Sequence, residues 1–318
     1  MLNILVVGIG GIGGFFGGLL SRAYENSDEI AIHFLARGQN LSAIEANGLH
    51  VTTPTGSFIT RPKTVTSKVP EHLLADYIIL CTKSYDLEET IASLKNAVGP
   101  QTVLVPLLNG VDSRARIQRL YPENLVTDGC ANIITRLTAP GYVENFSAFK
   151  SLHMGVEQES HERLDRLYQI LYTAGVDVTL TPSIKKAIWS KFLLISTAAT
   201  ATSYFNKTFG EIKKSAVYTK TLRLLVHELL DVARTLGIDL PPEAAEKTWA
   251  QFVQAPDEAT TSMHTDFLSE KGVTELESLT GYVVREAHAS GVAVPTYENM
   301  YRYLSNTALL LHYKGVDQ

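Results

Sequence analysis

VVGIGGIGGFFGGLL, residues 6–20, is a stretch that three different structures would claim. Gly8-Ile9-Gly10-Gly11-Ile12-Gly13 has the GxGxxG spacing of a turn that holds the pyrophosphate of a dinucleotide. Gly10, Gly14 and Gly18 recur every four residues, the spacing at which membrane helices pack. The whole lies in an uncharged run, 4–20, close to the N-terminus, as the core of a secretion signal would. The two membrane readings are weak. The run is seventeen residues long, short of the ~20 that span a bilayer. Seven of those residues are glycine, and each costs ~1 kcal/mol relative to alanine in a helix interior. No basic residue precedes the run, no small-residue cleavage site follows it before Arg22, and no later segment is long and apolar enough to span.

The surroundings favour the first reading. Leu2-Asn3-Ile4-Leu5-Val6-Val7 is a β-rich run suited to a strand buried on both faces. The glycines follow at once, an apolar helical stretch runs to about residue 24, and a second strand over 29–35 closes a βαβ unit. Gly8 permits the tight turn, Gly10 lets the backbone approach a pyrophosphate, and Gly13 lets the helix pack on the strand. The pyrophosphate is expected on the free N–H groups at the helix start, so Gly8, Ile9, Gly10, Gly11, Ile12 and Gly13 form the expected cofactor loop.

The remainder of the chain agrees with this unit. Its 318 residues suggest one large or two medium domains. A net charge of -5 gives no electrostatic reason to expect nucleic acid or an anionic membrane. Cys81 and Cys130 lack any metal-ligand or redox spacing and read as buried residues of a reduced, cytoplasmic protein. None of the nine histidines is paired with a carboxylate at ligand spacing, so no metal is expected. Further strands are expected over 76–81 and 102–107, with a helix over 86–97 between them. Shorter strands and a helix over 159–172 follow. Beyond Pro182 the period is helical: 183–205, 210–236, 242–253, 274–290 and 296–312. The expected fold is therefore α/β. A Rossmann-type doubly wound parallel sheet over 1–182 precedes an all-helical domain over 183–318, with the active site in the cleft between them. The helical domain could support a homodimer.

An enzyme that uses NAD places an acid at the end of the second strand to hold the ribose 2′-hydroxyl. Here that strand ends Phe34-Leu35-Ala36-Arg37, without an acid. Arg37, Gln39 and Asn40 instead offer donors suited to a 2′-phosphate, which points to NADP(H).

Further motifs follow in a fixed order. Thr82-Lys83-Ser84-Tyr85 follows the fourth strand, and Leu107-Leu108-Asn109-Gly110-Val111 follows the fifth. Trp189-Ser190-Lys191 lies early in the first long helix. Thr261-Ser262-Met263-His264-Thr265-Asp266 precedes Thr274-Glu275-Leu276-Glu277-Ser278-Leu279-Thr280-Gly281. Together they resemble the ketopantoate reductase (2-dehydropantoate 2-reductase) family over nearly the whole chain. The resemblance implies NADPH-dependent reduction of the 2-oxo group of ketopantoate to pantoate, a step toward pantothenate and coenzyme A.

The residues can also be weighed singly. Lys83 and Asn109 sit just beyond the carboxyl ends of strands, where ligands bind in an open parallel sheet, although Asn109-Gly110 is also good turn chemistry. The resemblance makes both contacts of the nicotinamide half of the cofactor, and Asn109 a substrate contact as well. Hydride addition to a ketone leaves charge on oxygen, which needs a proton and an electrostatic partner. The family's proton-donating lysine falls at Lys191. Its helical neighbours Leu194, Ile195, Ala198 and Ala199 are apolar, surroundings that tend to lower an ammonium pKa. Glu275 matches the family's carboxylate near the nicotinamide ribose and that lysine, although Thr274 and Glu277 also read as a capping box. Ser262 reads as a helix cap, or by resemblance as a contact for the substrate carboxylate; Asp266 is a weaker candidate.

One departure concerns the substrate. The family commonly carries asparagines four and eight residues after the lysine, where this chain has Ile195 and Ala199. A further family asparagine is replaced by Phe209, with Asn206 nearby as a substitute contact. A reductase of another, more apolar 2-oxo acid is therefore an alternative. A non-catalytic NADP(H)-binding sensor is a third, opposed by Lys191 and Glu275.

Overall fold

Strand β1 (Leu2–Val7) is buried along almost its whole length, which suits only the middle of a sheet covered on both faces. That is its place in the computed structural model, which describes residues 1–147, 150–269 and 272–316. The chain continues through α1 (Gly11–Ala23), β2 (Ile30–Leu35), α2 (Gly38–Asn47), β3 (Leu49–Thr53), β4 (Gly56–Thr60), β5 (Thr64–Thr66) and β6 (Ala75–Leu80). Then come α3 (Leu87–Ser93), β7 (Val98–Pro106), α4 (Ser113–Leu120) and β8 (Leu125–Val126). Six strands pair in the order β5-β2-β1-β6-β7-β8, every neighbour parallel. Numbered within the sheet this is 3-2-1-4-5-6, the doubly wound order, whose direction reverses between β1 and β6.

Two smaller sheets use the strands β9 (Asp128–Asn132), β10 (Thr135–Ala139), β11 (Tyr142–Asn145), β12 (Ser151–Gly155) and β13 (Asp177–Leu180), with α5 (Glu162–Thr173) before the last. One runs β10-β11-β3-β4 and the other β13-β12-β9. Helix α1 lies between the parallel sheet and the first of these, and its glycines divide accordingly. A Cβ on Gly17 would stand 3.2 Å from Val6 of the parallel sheet. A Cβ on Gly14 would stand 2.5 Å from Val143, and one on Gly18 2.7 Å from Val51, both in the four-stranded sheet. Of the glycines at four-residue spacing, Gly14 and Gly18 thus let the helix approach β-strands closely, and no membrane partner is needed to explain them.

The contacts divide the chain into two compact units: Met1–Leu108 with Asp112–Ile184, and Asn109–Val111 with Lys185–Gln318. The second contains α6 (Ile184–Phe205), α7 (Phe209–Lys213), α8 (Ala216–Thr235), α9 (Ala244–Gln254), α10 (Ser262–Leu268), α11 (Tyr282–Ser290) and α12 (Pro295–Val316). Its core gathers Phe192, Leu225, Leu229, Val283 and Tyr297.

Two helical expectations need correction. The stretch 210–236 is two helices, because Thr208 and Glu211 form a capping box on α7 and Ser215 caps α8 afresh. The stretch 274–290 opens as a π-helical turn, Glu277–Gly281, ahead of α11. The capping box of Thr274 and Glu277 does not form. Thr274 Oγ1 accepts from the nearer Leu276 N–H at 3.2 Å, while the Glu277 carboxylate is held by Arg285 and Tyr301, each at 2.7 Å. Among the described residues no helix is long and apolar enough to cross a membrane.

Candidate active site

The glycine loop of the first unit is shaped by what a side chain would strike. Gly8 has φ +87, and a Cβ there would meet Thr82 N at 2.9 Å, so the ends of β1 and β6 touch at this point. A Cβ on Gly13 would meet Gly8 O at 2.2 Å, and one on Gly11 would meet Thr135 O at 2.7 Å. Gly10 differs. It is the N-cap of α1, and a Cβ on it would meet nothing within 4 Å. No protein neighbour requires glycine there. The space opens onto the first turn of α1, which has no acidic residue and no side-chain cap. Helical N–H groups without a cap bind anions, so this cradle suits a phosphate. Ile9 is buried in the core and Ile12 packs against it, which leaves only their backbone for a ligand.

Arg37 is exposed and forms the N-cap of α2; Gln39 is exposed as well. Asn40, expected as a donor to a 2′-phosphate, is engaged within the protein. Its Nδ2 donates to Ile9 O at 2.6 Å, and its Oδ1 accepts from Gly141 N–H at 2.7 Å. Lys83 leaves the end of β6 as the N-cap of a 3-10 turn over Ser84–Asp86. That turn is anchored by Arg116, which donates to Ser84 O at 2.7 Å and grips both Glu88 oxygens, at 2.7 and 2.6 Å. The guanidinium holds the Glu88 carboxyl below its usual range.

In the second unit the structure brings together three residues far apart in sequence. Lys191 Nζ donates to Asn109 Oδ1 at 3.3 Å, and Asn109 Nδ2 donates to Glu275 Oε2, also at 3.3 Å. An amide is matched to this place: its oxygen faces the ammonium and its N–H the carboxylate. Glu275 is 2 % exposed and lies just ahead of the π-helical turn. The bridging role of Asn109 has no sequence signal, because its partners are 82 and 166 residues away.

Beyond Lys191 two polar residues of α6 are tied to neighbouring elements. Ser196 Oγ donates to Leu279 O at 3.1 Å. Its single proton is then spent, so the Tyr297 hydroxyl, 2.9 Å away, donates to Ser196. Thr200 and Thr280 share a hydrogen bond of 2.8 Å. Ile195 is half-buried and Ala199 is 2 % exposed, so the positions one and two turns after Lys191 carry no polar group.

Three further candidates fall elsewhere in this unit. The cap of α10 is Thr261, whose Oγ1 accepts from His264 N–H, and Ser262 is the exposed residue after it. Asp266 is half-buried in the same helix. Asn206 follows the last residue of α6 with φ +52, and its Oδ1 accepts from His264 Nε2 at 2.9 Å. His264 also meets Thr260 Oγ1 at 2.6 Å through Nδ1, and burial lowers its pKa against an opposing pull from Glu211. With α6 continuous and rising ~1.5 Å per residue, Asn206 lies about 20 Å along the axis from Lys191. The structure does not bring it to the lysine cluster. Phe209 is packed edge-on against Phe252, with ring centroids 5.0 Å apart. Among the described residues no group of metal-ligating side chains occurs.

Comparison with known proteins gives a consistent result. The sequence profile of ketopantoate reductase PanE/ApbA matches residues 4–158, and that of its C-terminal domain matches 183–308. A crystal structure of 2-dehydropantoate 2-reductase from Porphyromonas gingivalis W83 is 33% identical, covers 96% of this chain and 99% of its own, and superposes with TM-score 0.83. The 2-dehydropantoate 2-reductase of Halobacterium salinarum is 27% identical over 306 residues, covering 94% of this chain and 96% of that protein. The ternary structure of D-mandelate dehydrogenase with NADH and anilino(oxo)acetate shares the fold, with TM-score 0.85 at 21% identity, covering 98% of this chain and 99% of that one.

Proposed function

The chain belongs to the ketopantoate reductase PanE/ApbA family of oxidoreductases, and from that premise we propose that it reduces 2-dehydropantoate (ketopantoate) to pantoate with NADPH, in pantothenate biosynthesis. The observation that carries this reading is the Lys191–Asn109–Glu275 chain of hydrogen bonds. It supplies what a ketone reduction asks of a protein: a cation that can give a proton, held in place and balanced by a carboxylate.

When bound, NADPH supplies the hydride that adds to the 2-oxo carbon. The chain's own residues do the remainder. The cradle at Gly10 and the first turn of α1 hold the pyrophosphate, Arg37 pairs with the 2′-phosphate, and Lys83 and Asn109 contact the nicotinamide half. Lys191 Nζ stabilises the charge that develops on the 2-oxo oxygen and gives that oxygen its proton, leaving the hydroxyl of the product. Asn109 fixes the direction of the ammonium, and Glu275 balances its charge. Ser262 takes the substrate carboxylate. We place the enzyme in the cytoplasm, as a homodimer.

A second reading is favoured by Ile195 and Ala199, which line the helix beyond Lys191 with hydrocarbon. On that reading the chemistry is unchanged, and the substrate is a 2-oxo acid more apolar than ketopantoate. One experiment tests both: NADPH oxidation followed with ketopantoate and with a panel of 2-oxo acids. The highest kcat/KM is expected for ketopantoate on the first reading and for an alkyl or aryl 2-oxo acid on the second. NADPH binding without turnover of any of them would leave a cofactor-binding sensor.

A further inference from the structure

Asn40 joins three pieces of the first unit. Its Nδ2 donates to the carbonyl of Ile9, which lies between Gly8 and Gly10 in the glycine loop. Its Oδ1 accepts from the N–H of Gly141 in the turn between β10 and β11. Its backbone lies in the first turn of α2, three residues after Arg37. Apolar packing holds that turn only weakly. Ile44, near the far end of α2, is the helix's fully buried residue, with Leu41 packed partly against the core. Arg37 makes no side-chain cap, and Gly38 after it has φ +55. The turn from β10 to β11 adds a second point of support, since a Cβ on Gly141 would stand 3.2 Å from Ala43 Cβ.

We infer that Asn40 is a positioning residue for cofactor selectivity: its two hydrogen bonds fix Arg37 relative to the glycine loop. The inference rests on the proposed pairing of Arg37 with the 2′-phosphate. The pyrophosphate and the 2′-phosphate belong to one adenosine, so their separation is set by covalent geometry. A guanidinium–phosphate contact is directional and loses strength when its donor is displaced. The loop can hold the first anion with its backbone alone. The second is reached only if the start of α2 stays in register with the loop. An amide suits the junction because it both donates, to Ile9 O, and accepts, from Gly141 N–H. A carboxylate would keep the bond from Gly141 and turn an oxygen against the Ile9 carbonyl.

The test separates register from general loosening. Loosening of the loop weakens NADH and NADPH alike, whereas loss of register weakens NADPH alone. Dissociation constants for both nucleotides would be measured by calorimetry on the full chain, for the wild type, Arg37→Ala, Asn40→Ala and Asn40→Asp, with circular dichroism to confirm folding. Asn40→Ala removes both bonds without adding a charge and is the deciding variant; Asn40→Asp keeps the bond from Gly141 but sets an anionic oxygen against the Ile9 carbonyl, so it adds repulsion to displacement. The wild type is expected to prefer NADPH, and Arg37→Ala to reduce that preference about tenfold or more, as for a lost charge-assisted contact. Asn40→Ala is expected to reduce it by roughly fivefold, a displaced rather than absent contact, with NADH affinity held within about twofold, and Asn40→Asp by at least as much. An unchanged preference in Asn40→Ala, or an equal loss of both nucleotides, overturns the inference and leaves the Arg37 reading intact. A wild type without preference, unaffected by Arg37→Ala, removes that reading and the inference with it.

Discussion

The glycine loop of the first unit and the lysine cluster of the second are built by opposite means. The loop is six consecutive residues, 8–13, whose value lies in what they lack: three of its glycines avoid collisions with the protein, and Gly10 leaves a space that no protein atom fills. The cluster is three side chains from distant segments, each satisfied by the next. A site made of missing side chains can be written in one short stretch. A site made of matched ones needs the fold to assemble it.

The largest effect belongs to the cluster. Lys191→Ala should lower kcat by ~10²–10⁴-fold, the range associated with general acid catalysis. NADPH affinity should stay near that of the wild type, because on the proposed reading the loop and not the cluster holds the phosphates. Stopped-flow turnover together with nucleotide titration measures both. Near-normal turnover would mean that another group supplies the proton, and the contrast between the two regions would lose one side.

Within the loop, two glycines should respond in opposite ways. Gly13→Ala places a Cβ against the carbonyl oxygen of Gly8 at 2.2 Å, backbone that cannot rotate aside. Overpacking of this kind costs about 1–3 kcal/mol or more, and for a domain of this size that lowers Tm by roughly 2–4 °C per kcal/mol. Gly10→Ala meets nothing within 4 Å. Its Tm should fall by little, since alanine for glycine at an N-cap is a modest loss, while NADPH affinity drops about tenfold through the crowded cradle. Thermal melts and titrations of the two variants give the answer. A large Tm loss in Gly10→Ala would show that the space serves the fold and not a ligand.

The same contrast explains what could be read in advance. The βαβ unit and the turn at Gly8 were legible because strand, turn and helix are neighbours in sequence, and Gly13 packs on Gly8 only five residues away; the approach of Gly8 to Thr82 was not. The lysine cluster was legible only through resemblance to a family, which named Lys191, Asn109 and Glu275 but not the bridge that the amide makes between the other two. Errors arose where a side chain had two partners to choose from. Thr274 took the nearer N–H of Leu276, leaving Glu277 to Arg285 and Tyr301. Asn40, read as a ligand donor, also binds a carbonyl from residue 9 and an N–H from residue 141, which sequence does not show converging on it. A helix expected over 210–236 broke because Ser215 could start a new one.

Arg37 gives a smaller, sharper test of the loop side. Replacing it with alanine removes a charge-assisted contact worth about 1.5–3 kcal/mol, so NADPH should bind ~10-fold or more weakly and NADH unchanged. Equal wild-type affinities for the two nucleotides would refute the assignment of the 2′-phosphate to Arg37.

The smallest effect concerns the substrate end of the cluster. Ketopantoate carries a terminal hydroxyl beside two methyl groups. An amide placed to bind such a hydroxyl discriminates strongly, because an analogue without it leaves the amide unpaired in a dry site. Along α6 beyond Lys191, Ile195 and Ala199 offer no such amide, while Ser196 and Thr200 are already bonded to Leu279 O and Thr280. Asn206 does carry one, but it lies about 20 Å along the helix, further than a short 2-oxo acid held at Lys191 can reach. Its oxygen is also taken by His264. The enzyme should therefore prefer ketopantoate over the analogue with hydrogen in place of that hydroxyl by no more than ~1–2 kcal/mol in kcat/KM. Asn206→Ala should leave this preference where it was. Ile195→Asn, which restores an amide one turn from the lysine, should widen it. A 10³-fold preference in the wild type would show that a residue outside α6 reads the hydroxyl. Were that preference lost in Asn206→Ala, α6 would have to bend enough in solution to bring its end to the lysine.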